Sequence, residues 1–66
     1  MTKIELEETI AYHEKNMDRI LELAQKEEVP EYRSDMYNRV DRTRSLLSEW
    51  RRELAEINRA ERSEAR

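Results

Sequence analysis

The segment KEEVPEY, residues 26–32, decides the fold because it places the chain's only proline between two long helical patterns. The ring of Pro30 disfavours helical geometry at Val29, and proline is best tolerated at the first position of a new helix. The chain contains no glycine, so the usual residue for a left-handed helix cap is missing. We therefore predict a first helix over about residues 3–27, a turn over about 28–30 and a second helix over about 31–60.

The first helix is marked at its start by Thr2 and Glu5, which have the spacing of a capping box. After this start, apolar residues recur in steps of four and three, as on one face of a helix. The pattern has a single polar interruption, at His13. We call this apolar stripe the seam of the first helix, and its members are Leu6, Ile10, Met17, Ile20 and Ala24, with Leu21 beside them.

The second helix carries a longer seam with the same steps. Its members are Met36, Val40, Thr43, Leu47, Trp50, Leu54, Ile57 and Glu61, with Leu46 on one flank. Ser34 is a second candidate for the start of this helix, because serine is a favourable N-cap. Residues 61–66 have lost the apolar pattern, so we expect a frayed tail there.

Two helices joined by so few residues must lie antiparallel, so we predict an all-α, coiled-coil-like hairpin. A turn near Glu28 and Val29 would set His13 opposite Thr43. The two residues would then form one polar layer that fixes the register of the seams. An alternative role for His13 is pH sensing, because protonation would put a charge into the seam.

The same register predicts that the first helix covers the second only as far as about Leu54. The seam continues through Trp50, Leu54 and Ile57, so we expect these residues, with Leu46, to need a further covering surface. A chain of 66 residues also buries too little surface for a generous core. We therefore expect completion as a four-helix bundle, either by dimerisation or by a partner protein.

Five arginines lie on one flank of the second seam, where they could make electrostatic contacts: Arg44, Arg51, Arg52, Arg59 and Arg62. They could pair with the acidic first helix of a second copy. The alternative is a nucleic-acid-binding regulator that uses this flank. Acidic residues interleave with the arginines and the net charge is −3, which disfavours a polyanion as partner.

No catalytic, cofactor or metal site is predicted. The segment HEKNM, residues 13–17, lacks the second histidine of a zinc-protease helix, and Ile10 occupies the position that a di-iron motif gives to glutamate. There is no cysteine, and no window is apolar enough to span a membrane. We expect a cytoplasmic protein without a small-molecule substrate.

These observations together predict a small, non-catalytic module that binds and occupies the surface of another protein, itself or both. Helical hairpins of this size occur among bacterial assembly factors and among phage proteins that inhibit host factors. The role would then be that of an inhibitor, adaptor or assembly factor, and a phage protein would act in the host cytoplasm. No motif selects among these roles.

Overall fold

The computed structural model describes residues 1–64, and two antiparallel helices account for almost all of them. Helix α1 is Lys3–Lys26 and helix α2 is Pro30–Glu64. They pack side by side into a rod of 56 × 16 × 15 Å. Its radius of gyration, 15.7 Å, exceeds the roughly 11 Å expected of a compact domain of this length. The predicted helical hairpin is confirmed.

The start of α1 is held by the predicted cap. The backbone N–H of Glu5 donates to the hydroxyl oxygen of Thr2 over 3.2 Å. The return bond differs from a standard capping box, because the Glu5 carboxylate accepts a hydrogen bond from the Thr2 hydroxyl instead of from a backbone amide. The hydrogen bond from the Glu5 N–H satisfies one of the first-turn N–H groups that have no partner within the helix.

The connection between the helices is short and has no left-handed residue. Glu27 is extended, its backbone N–H donates to the carbonyl of Ala24, and its carboxylate accepts the N–H of Val29 over 3.1 Å. Helix α2 then starts at Pro30, so Ser34 lies inside the helix. Proline fits the first helical position because its missing N–H would have no partner there.

The far end of α2 is longer than the sequence suggested. The helix continues through Glu64, although residues 61–66 were expected to fray; residues 65 and 66 lie outside the described part of the chain. Alanine, glutamate and arginine dominate this segment, and all three favour helix. In addition, Lys3 at the start of α1 donates a hydrogen bond of 2.8 Å to Glu61.

The register of the hairpin is shifted by about one heptad from the predicted one. Lys3 pairs with Glu61, and Glu14 pairs with Arg51 over 2.9 Å. Helix α1 therefore runs beside α2 as far as Glu61, and the expectation that it stops near Leu54 is wrong. The overhang lies at the other end, where the first two turns of α2 extend past Lys26. A heptad pattern maps onto itself after seven residues, so both registers bring seam against seam.

The core between the helices is thin. Within residues 1–64, the buried apolar side chains are Leu6, Ile10, Ala24, Val40 and Leu47, all of them predicted seam residues. No polar side chain is buried with them, and no buried side-chain nitrogen or oxygen in this range lacks a hydrogen-bond partner. Packing at these few positions holds the helices together, and most other apolar side chains keep contact with solvent.

Candidate protein-binding surface

His13 lies in a cluster of three aromatic rings. Its ring centroid is 4.8 Å from that of Trp50 on α2 and 5.2 Å from that of Tyr12, with the Tyr12 ring nearly perpendicular to it. Its Nδ1 lies 2.8 Å from the backbone carbonyl of Thr9. A carbonyl oxygen only accepts hydrogen bonds, so Nδ1 carries the hydrogen. His13 thus bridges the two helices through ring contacts, while its polar edge is satisfied within α1.

The predicted polar layer of His13 and Thr43 does not form. Trp50 takes the place opposite His13, and Thr43 lies two turns before Trp50 on α2. The Thr43 hydroxyl donates to the carbonyl of Arg39 over 3.0 Å, a local bond within its own helix. The physical reason is the heptad shift of the register, which moves every partner on α2 by about seven residues. In the observed register, ring contacts and exposed ion pairs cross between the helices, and within residues 1–64 no buried polar pair does.

One long side of the hairpin is apolar and exposed. The Glu14–Arg51 ion pair marks one side, and Tyr12 and Leu46 lie about 140–160° around their helices from it, on the opposite side. Leu23 follows Tyr12 after three helical turns, and Leu46 precedes Trp50 by one turn. We call Tyr12, Leu23, Leu46 and Trp50 the apolar side.

The exposure of these residues is large for their size. Tyr12 is 63% exposed, Leu23 is 52% and Leu46 is 43%, whereas Trp50 is half-buried against His13. A single exposed leucine is ordinary, but three exposed large apolar side chains on one side of a thin rod, with Trp50 half-buried beside them, are a candidate contact surface. In the sequence, Tyr12 and Leu23 lie off the seam and share one flank of the first helix, so they could be a second contact strip or scattered surface residues. The structure adds that this flank lies on the same side of the hairpin as Leu46.

Leu54 and Ile57 are half-buried. With the observed register they lie beside the first turns of α1, near Leu6 and Ile10, instead of projecting past its end. Trp50, Leu54 and Ile57 thus face α1, and of the predicted binding residues Leu46 is the one most open to solvent. The structure brings Leu46 and Trp50 together on the apolar side and assigns Leu54 and Ile57 mainly to the seam.

The opposite, charged side carries the predicted arginines. Arg51 is held by Glu14, and Arg44 lies 3.7 Å from Asp41 on its own helix. Within residues 1–64, the other three form no ion pair: Arg52, Arg59 and Arg62. A shallow depression of about 750 Å³ runs along this part of α2, lined by Ala55, Asn58, Arg59, Arg62 and Ser63. One helix supplies every wall, so the depression is an open groove between side chains.

The protonation of Lys3 is affected by its carboxylate neighbours. The hydrogen bond to Glu61 raises the pKa of Lys3 above its ordinary value of 10.5, and the charges of Glu61 and Glu7 act in the same direction, against a smaller lowering by desolvation. This ammonium is therefore charged throughout the physiological range. Its role is to hold the start of α1 on the end of α2.

Within residues 1–64, no cluster of histidine and carboxylate side chains could hold a metal ion, and neither helix has an apolar stretch long enough to cross a membrane. Comparisons of the chain with protein-family models, with curated proteins and with solved structures found no match.

Proposed function

We propose that this protein is a non-catalytic protein–protein interaction module that works by covering a surface. The observation that carries the proposal is the apolar side, where Tyr12, Leu23 and Leu46 are exposed and Trp50 is half-buried, on a rod with a thin core. Aromatic and leucine side chains of this kind contribute most when another surface removes them from water. An inhibitor, adaptor or assembly factor would use the patch in this way.

The small core supports the same proposal. Five buried side chains stabilise a two-helix unit only modestly, and small scaffolds commonly gain stability by association. Two further helices laid on the apolar side would complete a four-helix bundle, supplied by a second copy or by another protein. The exposed side chains would then become the centre of an enlarged core.

The alternative is nucleic-acid binding through the charged side, where Arg52, Arg59 and Arg62 form no ion pair within the described residues. The net charge of −3 and the pairing of Arg51 with Glu14 weigh against it. Ionic strength separates the two functions. Phosphate contacts weaken steeply as salt rises, whereas apolar docking does not.

The test is affinity capture of partners from an extract of the source cells by the purified, tagged protein. Leu46→Glu places a charge in the centre of the apolar side and should abolish capture. Ser48→Glu is the matched control, because Ser48 is exposed on the same helix, two residues away and on the charged side. Capture by this control should match that of the wild type, and it should persist in high salt.

Two results would contradict the proposal. If Leu46→Glu captures the same partners as the wild type, the apolar side is not the binding surface. If capture disappears with moderate salt and is lost in Arg59→Glu instead, the charged side carries the function and the nucleic-acid alternative is favoured.

A further inference from the structure

The outer stripe of α2 that passes through Leu46 reverses its charge at that residue. Arg39 and Arg42 precede Leu46, and Glu49 and Glu53 follow it. All four charged residues are exposed, and none forms an ion pair with a residue in the range 1–64. Arg39, Leu46 and Glu53 are spaced by heptads, so they lie on one stripe. Within the described part of the chain, neither the basic half nor the acidic half of the stripe has an ion-pair partner.

A stripe of this kind is complementary to a reversed copy of itself. When two α2 helices cross antiparallel with Leu46 against Leu46, the residue seven positions before the crossing meets the residue seven positions after it. Arg39 of each copy then lies beside Glu53 of the other, and Arg42 lies near Glu49 and Trp50. The arginine can pair with the carboxylate and stack on the indole. Each favourable contact occurs twice in such a symmetric pair.

Helix α1 has the same centre of symmetry. Tyr12 and Leu23 are the exposed apolar residues of its outer stripe, and Asn16 and Arg19 lie between them. Their midpoint falls between residues 17 and 18. The contacts of Lys3 with Glu61 and of His13 with Trp50 place this midpoint level with residues 45–47 of α2. Two stripes on different helices therefore share one centre, at the height of Leu46.

We infer that the occupant of the apolar side is a second copy of this chain, related by a two-fold axis perpendicular to the helices at Leu46. In this pair α2 packs on α2 and α1 packs on α1, both antiparallel. Tyr12 of each copy meets Leu23 of the other, and Asn16 can accept a hydrogen bond from Arg19. The inference rests on the proposed function, since it uses the same surface and names what covers it.

The other way to pair the two apolar sides has the two-fold axis along the helices. Residues at equal height would then face each other, α1 against α2. Leu23 would meet Arg42 and Tyr12 would meet Glu53, because these residues of α2 lie at those heights and on the side of Leu46. Apolar side chains would be set against charged ones at both ends of the patch, with desolvation costs that no partner offsets. The perpendicular axis avoids this mismatch.

The test is a pair of charge reversals that repair each other only between chains. Arg39 and Glu53 are fourteen residues apart on one helix, about 21 Å, so they cannot pair within a chain. Arg39→Glu alone and Glu53→Arg alone should each weaken dimerisation about tenfold, because two attractive contacts become repulsive. An equimolar mixture of the two variants should form a heterodimer within about threefold of the wild-type affinity, because both contacts are restored.

Sedimentation equilibrium of the wild type, each variant and the mixture provides the measurement. Arg52→Glu is the matched control, because it changes the net charge as Arg39→Glu does but lies on the charged side; its dimer affinity should equal that of the wild type. Far-UV circular dichroism checks that each variant is helical. If a single variant is poorly helical, the double variant Arg39→Glu/Glu53→Arg, which regains both contacts as a homodimer, takes its place.

The outcomes separate this inference from the proposed function. Recovery of the dimer in the mixture supports the arrangement. Unchanged affinity in both single variants, or no recovery in the mixture and in the double variant, overturns it. A wild-type protein that stays monomeric up to millimolar concentration overturns self-association altogether. The proposed function would still stand in that case if Leu46→Glu abolished capture of a different protein and Ser48→Glu did not.

Discussion

The two long sides of the hairpin differ in how well their side chains are stabilised within a single chain. On the charged side, Glu14 and Arg51 pair across the helices, Arg44 pairs with Asp41 on its own helix, and an exposed arginine loses little free energy without a protein partner because water solvates it. On the apolar side, Leu46 and Tyr12 keep large apolar surfaces in water although the rings of His13 and Trp50 lie beside them. Water satisfies a guanidinium but not a leucine. The difference indicates that the apolar side is the one on which association would gain most free energy.

The largest expected effect is a difference in the free energy of unfolding between substitutions of two neighbouring leucines, Leu47 and Leu46. Leu47 is fully buried between the helices, so Leu47→Ala should lower the free energy of unfolding by about 2–5 kcal/mol through lost burial and a residual cavity. Leu46→Ala should cost about 0.5 kcal/mol in dilute solution, because its side chain is exposed on the apolar side. Urea unfolding followed by circular dichroism measures both.

The two leucine substitutions should also differ in how their cost in stability depends on protein concentration. If the apolar side is covered by a second copy, the cost of Leu46→Ala should grow as concentration rises, whereas that of Leu47→Ala should not. Equal costs for the two leucines in dilute solution would show that Leu46 is already buried within one chain. The account of the two sides would then be wrong.

A smaller effect is expected at the ring cluster. His13→Ala removes the ring between Tyr12 and Trp50 and should destabilise the hairpin by about 1 kcal/mol. The emission of Trp50 should shift to longer wavelength, because one face of the indole becomes exposed to water. Lys15→Ala, at an exposed position two residues away, is the control. Unchanged emission in His13→Ala would mean that His13 does not cover Trp50.

Loss of the ion pair on the charged side should change the stability of the hairpin only slightly. Glu14→Gln breaks the exposed pair with Arg51 and should cost at most about 1 kcal/mol. Raising the salt concentration should shrink the difference from the wild type, because the pair is screened. Glu22→Gln removes an acid of α1 that makes no ion pair within residues 1–64 and serves as the reference. A cost that is large and independent of salt would contradict the assignment of this side.

The smallest effect is a pH dependence at the end of the rod. The pKa of Lys3 is raised in the folded chain by the hydrogen bond to Glu61. Its contribution to stability is therefore fully present below the unfolded value of 10.5 and is lost as pH rises through the higher folded value. The stability difference between the wild type and Lys3→Met should be constant from neutral pH to about pH 9.5 and vanish in stronger alkali. A difference that instead grows with pH would contradict the ion pair.

The sequence predicted the elements of this fold well, because its signals are local. Thr2 and Pro30 mark the two helix starts, and the steps of four and three identify Leu6, Ile10, Val40 and Leu47 as core residues. Each of these signals depends on backbone geometry or on helix period within a few turns. The antiparallel arrangement then follows from the shortness of the connection.

The sequence could not predict how the two seams match. Ile10 can face Leu47 or, seven residues further on, Leu54, and the periodic pattern is satisfied in both cases. The choice depends on a few tertiary contacts, such as the rings of His13 and Trp50, and on the extended path from Glu27 to Val29. The shift of one heptad displaces both the predicted polar layer and the predicted overhang, because both depend on the register.

The most direct measurement of the central claim is acrylamide quenching of Trp50 fluorescence in a dilution series of the wild-type protein. Trp50 is the only tryptophan, so the signal reports on the apolar side alone. We expect quenching to weaken as protein concentration rises, because a second copy covers Trp50, and we expect Leu46→Glu to remove this dependence. Quenching that is constant from low micromolar to millimolar concentration, in a folded wild-type chain, would contradict the claim that a second copy covers the apolar side.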